Sequence, residues 1–242
     1  MNALYTAASG LLAQHQILQA TAGNIANQNS LGYLAQKTQV VGFLPQTVLA
    51  VGPQSTQAIG QVISAQAVIS QYDVAPGAIR STGVFSELAI SGNGFFAVRT
   101  PSGGVAYTQD GRFHQTSQGQ LATANGDLVL LSSGKPVHLA PGPFTVSITG
   151  VLSQNNVTLG TLGLVDLPAA GLTSLGGGLY QSKTPQAFTG NVIQGAVNTS
   201  NGSLTGETVD LMQAEETYQS LTSLVNEEST RLKTAGALGV LG

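Results

Sequence analysis

Apolar side chains recur at helical spacing along the first part of the chain. From Leu4 to Ile25 the series returns alternately after four and three positions, with one histidine among its members. Such spacing places the side chains on one stripe of an α-helix. The pattern predicts a helix over residues 3–28. Its stripe consists of Leu4, Ala8, Leu11, His15, Leu18, Ala22 and Ile25.

A second apolar stripe lies near the other end of the chain and repeats every seven residues. The repeat is formed by Leu211, Tyr218, Val225 and Leu232, with Ala214 and Leu221 between them. Repeats of seven are typical of helices that pack against other helices. This pattern predicts a helix over residues 207–235 that ends at Gly236. Neither end supplies a complete core of its own, so we expect the two helices to pair or to join a larger bundle.

Between the two stripes the apolar period changes from helical to alternating. Over residues 84–190, short alternating runs are separated by glycine-containing turns, and no helix-length segment lies between them. Asp-Gly and Asn-Gly dipeptides between such runs are strong signals for β-hairpins. The runs therefore predict a mostly antiparallel β domain. Its predicted turn residues are Gly92, Gly94, Asp110, Gly111, Asn125 and Gly126.

Together these patterns predict an α+β fold. Long N- and C-terminal helices would pair as a coiled-coil-like helical domain, and a mostly antiparallel β domain would lie between them in the chain. The predicted parts are the N-terminal helix in residues 1–35, an extended linker in 36–80 and the β domain in 81–190. Residues 191–242 form the return segment and the C-terminal helix. The linker is expected to be extended because Pro45, Gly52 and Pro53 interrupt its strand-like runs.

Composition favours a protein that assembles. Charged residues make up 8% of the chain, against roughly 25% in ordinary soluble domains. A neutral, hydrogen-bonding surface can pack against copies of itself without desolvating ions. The net charge of −3 and the lack of a basic patch argue against nucleic acid as a partner. No apolar run approaches the ~20 residues of a membrane span. The N-terminus lacks the charge pattern of a secretory signal, so we expect any export to proceed without signal cleavage.

The chain offers no convincing catalytic, cofactor or metal site. Residues 92–97 fit the loose pattern G-x-G-x-x-A, but a strand rather than a helix is expected to follow the glycines. The three histidines lack metal-ligand spacing, and there is no cysteine. Neighbouring carboxylates on the second helix diverge by about 100° and do not share a site. We therefore expect a non-enzymatic protein without cofactors or metals.

Several blocks of the sequence resemble the bacterial flagellar rod and hook proteins. Residues 2–11, 24–27 and 32–33 resemble that family's N-terminal signature. Residues 90–96 and 107–113 resemble its central β domain, and 194–201, 209–211 and 214–218 resemble its C-terminal helix. Residues 215–216 depart from the family, which commonly has arginine there. The blocks occur in the family's order and cover most of the chain.

The resemblance implies a structural subunit of the basal-body rod, because hook subunits are usually longer. It implies export through the flagellar export apparatus to an extracytoplasmic position. It also implies polymerisation through the terminal helices with other copies and other axial proteins, into the tube that supports motility. The predicted assembly residues are Leu4, Ala8, Leu11, Leu18, Ala22, Ile25, Leu211, Ala214, Tyr218, Leu221, Val225 and Leu232.

Two alternatives stay open on the residues alone. The first is an extracellular β-rich adhesin or capping protein whose helical ends oligomerise, and it would form a discrete oligomer rather than a filament. The second is a hydrolase on the β domain. It ranks last because no nucleophile and base occur in a recognisable arrangement.

Overall fold

The computed structural model describes residues 2–42, 46–51, 56–62 and 66–239. Within this part the side chains of 2–6, 42, 46–51, 56–62, 66–67, 228, 232 and 235–239 are not described. The chain divides into two compact units. Unit 1 comprises Met1–Ile25, Lys37–Ser70 and Leu204–Gly242, and unit 2 comprises Ala26–Gln36 and Gln71–Ser203.

The described residues form two helices, one near each end, and twenty strands between them. The helices are α1 (Asn2–Ala26) and α2 (Leu204–Gly239). The strands are β1 (Gln36–Gly42), β2 (Gln46–Val51), β3 (Thr56–Val62), β4 (Gln66–Tyr72), β5 (Ile79–Ser81), β6 (Leu88–Ser91), β7 (Gly94–Arg99), β8 (Val105–Thr108), β9 (Phe113–Gln115), β10 (Leu121–Thr123), β11 (Leu128–Val129), β12 (Thr145–Val146), β13 (Val151–Gln154), β14 (Val157–Thr161), β15 (Leu164–Asp166), β16 (Thr173–Gly176), β17 (Leu179–Gln181), β18 (Gln186–Ala187), β19 (Asn191–Gln194) and β20 (Ala196–Asn198).

The two terminal helices lie where the apolar periodicity predicts them. Helix α1 is followed by a turn in which the Ser30 amide donates to the Asn27 carbonyl at 2.9 Å. Helix α2 is longer than predicted, because it begins at Leu204 and continues to Gly239. The predicted end at Gly236 is wrong. One glycine costs a helix only about 1 kcal/mol relative to alanine, and alanines flank it on both sides.

The segment predicted as an extended linker contains paired strands. β1 pairs with β4, and β2 pairs with β3 in antiparallel register, Val51 opposite Thr56 and Gln46 opposite Val62. The prolines and Gly52 that interrupt the sequence pattern fall outside the described residues. The described residues of the predicted linker are thus β-strand except for 73–78, which lie between β4 and β5 and belong to neither.

Unit 2 is built on a nine-stranded sheet with β7 at its centre. One edge of β7 pairs with β8, from Phe96 opposite Thr108 to Arg99 opposite Val105. Its other edge is shared, because β15 pairs with the first half and β11 with the second half. On the β8 side, the sheet continues with β17 and then β16. On the β11 side, it continues with β10 and then β9, and β18 pairs with β15.

Smaller pairings complete unit 2. β12, β13 and β14 form a three-stranded sheet, and the pairs β19 with β6 and β20 with β5 are antiparallel. The β13–β14 hairpin turns at Asn155 and Asn156, whose φ angles of 52° and 61° are the left-handed values that such a turn needs. The α+β class with a central antiparallel β domain is therefore confirmed.

Two apolar clusters form the core of unit 2. The larger one brings together buried side chains from many strands and loops of the unit, and Phe96 and Phe113 meet edge to face within it at 5.1 Å between ring centres. The smaller one surrounds Leu34 and Tyr180 and also contains Phe95, Leu167 and Leu172. Because Leu34 lies only eight positions after Ala26, the end of α1, the second cluster anchors the segment that follows this helix.

Candidate assembly interface

Helix α1 buries its small side chains rather than its large ones. The buried members are Ala7, Gly10, Ala13, Ala20, Thr21 and Asn24. Four of the six directly precede a stripe residue and Ala13 and Ala20 lie two positions before one, so the centre of the buried face is turned by roughly 100° or more from the stripe. The stripe therefore remains accessible along the helix.

None of the described side chains in the predicted α1 stripe is fully buried. Leu11, Leu18 and Ile25 are half-buried, and Ala8 and Ala22 are exposed. The side chain of Leu4 lies outside the described part. Next to the stripe, Leu12 is 67% exposed.

Helix α2 presents almost its whole described surface to solvent. Of its described side chains, Ala214 is the one that is buried. Leu211, Leu221 and Val225 are half-buried and Tyr218 is exposed, while the side chain of Leu232 lies outside the described part. Further exposed apolar side chains are Leu204, Val209, Met212 and Leu224. At about 100° per residue, these apolar side chains lie on several sides of α2 rather than in one patch.

One hydrogen bond joins the end of α1 to the beginning of α2. The Asn24 amide donates to a carboxylate oxygen of Glu207 at 3.0 Å. Asn24 is 2% exposed and Glu207 is half-buried, so this polar contact is partly shielded from water. A hydrogen bond to a charged group in such a place is worth about 1.5–3 kcal/mol.

Five threonines of α2 satisfy their hydroxyl groups inside the helix. Each hydroxyl donates to the carbonyl oxygen four residues earlier, at 2.7–3.0 Å. The five are Thr208, Thr217, Thr222, Thr230 and Thr234. A hydroxyl group already bonded within its helix can be covered by a partner without losing a hydrogen bond. The threonine hydroxyls of α2 therefore do not oppose burial by a partner.

The predicted turn residues of the β domain occupy different structural situations. Asn125 and Gly126 join the paired strands β10 and β11, as a hairpin signal requires. The hairpin expected at Asp110-Gly111 is wrong, because β8 pairs with β7 and β17 whereas β9 pairs with β10. Gly92 lies between β6 and β7 and Gly94 begins β7, and these two strands pair with other strands and not with each other.

Glycine is required at position 111 by close packing against another backbone segment and not by a hairpin turn. A Cβ atom at this residue would lie 1.6 Å from the Leu88 carbonyl oxygen. The amide of Leu88 donates to the Gly111 carbonyl at 3.0 Å, so the two backbones are in direct contact. Nearby, Asp110 holds Arg112 with two side-chain hydrogen bonds of 3.0 and 2.6 Å, and this raises the pKa of Arg112.

A polar cleft of about 400 Å³ in unit 2 brings two of the predicted turns together. Asp110 and Asn125 both line it, along with Tyr33, Arg112 and the glycines at 176–178. Among the described side chains, no three acidic or histidine groups gather as a metal site would need. Neither described helix combines the length and apolarity needed to cross a lipid bilayer.

Sequence reasoning missed the buried polar residues that fix the segment after α1. The hydroxyl oxygen of Tyr180 accepts a hydrogen bond from the Leu34 amide at 3.0 Å. The side chain of Asn198, 1% exposed, both accepts from the Ile90 amide and donates to the Ile90 carbonyl, each at 2.8 Å. The only sequence signal was the polar run 198–201 placed directly after a β-branched strand residue.

Replacing Tyr180 with phenylalanine is expected to lower the free energy of unfolding by about 1–2 kcal/mol at neutral pH, because the buried Leu34 amide loses its acceptor. Burial raises the pKa of Tyr180 above its ordinary value of 10.0. The wild-type protein therefore keeps this contribution below pH 10.0 and loses it as the pH rises further, since unfolding lets the tyrosine ionise. Urea denaturation from neutral pH to about pH 11 should show a steeper alkaline loss in the wild type than in Tyr180→Phe. Equal slopes would contradict the assignment.

Comparison with known proteins places the chain beside flagellar components. Residues 89–166 match the family model described as the flagellar hook protein FlgE/F/G D1 domain. The chain is 30% identical to the flagellar basal-body rod protein FlgG of Buchnera aphidicola subsp. Baizongia pistaciae, with 90% of this chain and 92% of that protein covered. It is 30% identical to the flagellar basal-body rod protein FlgF of Caulobacter vibrioides, with 97% and 96% covered. It is 28% identical to FlgF of Mesorhizobium japonicum, with 98% of both covered.

Proposed function

The chain belongs to the family of bacterial flagellar basal-body rod proteins and is a structural subunit of the rod, and from this premise we propose how it assembles. We propose that it polymerises through its terminal helices, with copies of itself and with other axial proteins, into the axial tube. This role is mechanical and needs no catalytic residue.

The observation that carries the proposal is the exposed surface of the terminal helices. The described side chains of α2 include one buried residue, Ala214, and many accessible apolar ones. Fully burying a leucine or isoleucine contributes roughly 1.5–3 kcal/mol. An interface that covered only a few of these side chains would offset much of the entropy lost when a subunit joins an assembly.

Within one subunit we propose that α1 and α2 pair in antiparallel fashion, in the manner of a coiled coil. The Asn24–Glu207 hydrogen bond supports this arrangement, because it joins the last turn of α1 to the first turn of α2. Seven residues further into each helix, Ile17 is half-buried and Ala214 is buried. Small residues on the buried face of α1 would let the two helix axes approach closely.

The larger apolar side chains would then be left for neighbouring subunits. Leu11 and Leu18 lie on a different face of α1 from the buried Ala13 and Ala20. No charged residue occurs in residues 1–36, so covering this face would desolvate no ion. We propose that the predicted assembly residues of both helices, Ala8, Ala22 and Tyr218 included, contact other subunits or the partner helix in the rod.

We further propose that the subunit is delivered by the flagellar export apparatus to an extracytoplasmic position. The similarity to basal-body rod proteins over nearly the whole chain supports this location. The adhesin alternative has no comparable support, because the matched relatives are rod proteins.

The assembly mechanism is tested by following helicity and mass together as the protein is concentrated. We expect circular dichroism at 222 nm to become more negative with concentration, and sedimentation velocity to show growing polymers over the same range. This follows because long helices with unpaired apolar faces are marginal in water and gain stability when covered. Full helicity in a dilute monomer that never associates would contradict assembly through the helices. A discrete oligomer without growth would point to the adhesin or capping alternative.

A further inference from the structure

The chain passes between its two units four times. The passages follow Ile25, Gln36, Ser70 and Ser203. Inside unit 2, three segments adjoin these passages: residues 26–36, the segment that begins at Gln71, and the segment that ends at Ser203. A set of contacts that holds these three segments together therefore also fixes the points in unit 2 at which the chain crosses to or from unit 1.

Asn201, in the segment that ends at Ser203, makes such contacts, because its side chain forms hydrogen bonds with the two other segments. Its amide oxygen accepts a hydrogen bond from the Ala35 amide at 2.6 Å. Its amide nitrogen donates to the carbonyl oxygens of Asp73 at 2.8 Å and Ala75 at 2.7 Å. An asparagine amide supplies one acceptor group and two donor hydrogens, and both kinds are used here. Its backbone amide also donates to the Tyr33 carbonyl at 3.3 Å.

Backbone contacts hold the same three segments at neighbouring positions. The Asp73 amide donates to the Ala35 carbonyl, and the Gly32 amide donates to the Asn198 carbonyl, both at 2.9 Å. Gly77 lies so close to the last segment that a Cβ atom there would be 2.0 Å from the Thr199 carbonyl oxygen. Asn201 is therefore the side chain at the centre of a joint that leaves little space between the backbones.

We propose that Asn201 is a positioning residue for rod assembly: by tying residues 33–35 and 73–75 to its own segment, it fixes the starting points of every chain passage between unit 2 and unit 1. This inference rests on the assembly mechanism proposed above. A subunit with a loosened joint would keep its folded β core. It would present its helices from variable starting points and so would enter the rod poorly.

Amide hydrogen exchange tests the joint directly. In Asn201→Ala the Ala35 amide loses its acceptor, and its exchange should accelerate about tenfold, the effect of losing one ordinary buried hydrogen bond. Exchange at Val98, in the centre of the nine-stranded sheet, should stay within about twofold of the wild-type rate. Unchanged exchange at Ala35, or equal acceleration at Val98, would overturn the local role.

The assembly consequence is tested in cells that lack their own copy of the protein, by counting complete rods in isolated basal bodies. Asn201→Ala is compared with Val137→Ala, a core change in unit 2, and with Asn191→Ala, an exposed asparagine in the same unit. Of these three variants we expect only Asn201→Ala to lose rods, by about tenfold. Asn201→Asp should behave likewise, because a carboxylate would face the two carbonyl oxygens of Asp73 and Ala75.

The possible outcomes distinguish a failure of the Asn201 inference from a failure of the proposed assembly through the terminal helices. If Asn201→Ala builds rods as the wild type does, Asn201 has no positioning role, whereas assembly through the helices is untouched. If Val137→Ala loses as many rods as Asn201→Ala at equal thermal stability, stability alone explains the loss and the positioning role is overturned. Wild-type protein that never enters the basal body would instead refute the assembly mechanism.

Discussion

Leu18→Asp is expected to abolish incorporation into the rod while leaving unit 2 folded. Leu18 is half-buried on the predicted stripe of α1, and Leu221 holds the equivalent place on α2. The change removes roughly 1.5–3 kcal/mol of apolar burial per fully covered leucine. It also places a carboxylate where no partner charge is expected, which adds several kcal/mol. Because each subunit would contact several others, the loss recurs at every junction.

The matched control for Leu18→Asp is Gln16→Asp, which adds the same charge at an exposed position of the same helix off the stripe. Leu221→Asp and Gln219→Asp form the corresponding pair on α2. Rods per cell and the thermal unfolding of unit 2 are measured for all four variants. We expect rods to disappear only in the two leucine variants, with unfolding of unit 2 unchanged. Normal rods in Leu18→Asp and Leu221→Asp would mean that these stripes are not the interface.

Gly111→Ala is expected to be the most damaging glycine-to-alanine change among the described glycines of unit 2. Its Cβ would lie 1.6 Å from the Leu88 carbonyl oxygen, a distance that forces one of two backbones to move. Leu88 is fully buried in the larger apolar cluster, so that movement would disturb the core. Overpacking of this kind costs about 3 kcal/mol or more, which is a large part of the stability of a domain.

Gly126→Ala separates crowding from backbone conformation. Gly126 has a φ of +87°, but nothing lies within 4 Å of the position of its Cβ. Its substitution should therefore cost only the strain of a left-handed residue, roughly 1–2 kcal/mol. Urea denaturation should give a clearly larger loss for Gly111→Ala than for Gly126→Ala. The reverse order would show that the contact with Leu88 relaxes without cost.

Local sequence patterns were sufficient to predict the two helices and one of the hairpins. The spacing of apolar residues predicted α1 and most of α2, and Asn125-Gly126 predicted the β10–β11 turn. These features depend on neighbours within about ten positions, where helix periodicity and turn chemistry act directly. Gly236 shows the limit of such rules, since a stop signal of about 1 kcal/mol is too weak to end a helix by itself.

Pairings between distant segments could not be predicted in the same way. β6 pairs with β19, about a hundred positions later, and the hairpin signal at Asp110-Gly111 was misleading because its strands have other neighbours. Periodicity also does not say which face of α1 becomes buried within the chain. The structure buries the small side chains there, while the large apolar stripe that the sequence emphasised stays accessible.

The hydrogen bond between Ala35 and Asn201 spans 166 positions, and this separation sets the order of events while the chain is being made. At about 5–20 residues per second, Asn201 emerges from the ribosome roughly ten to thirty seconds after Ala35. Tyr180, which accepts from the Leu34 amide, also emerges late. The segment after α1 has neither partner until about three-quarters of the chain exists, and it lacks Asn201 until more than four-fifths exists. Folding of unit 2 is thereby completed only near the end of synthesis. Until its last strands appear, the nascent subunit remains partly unfolded.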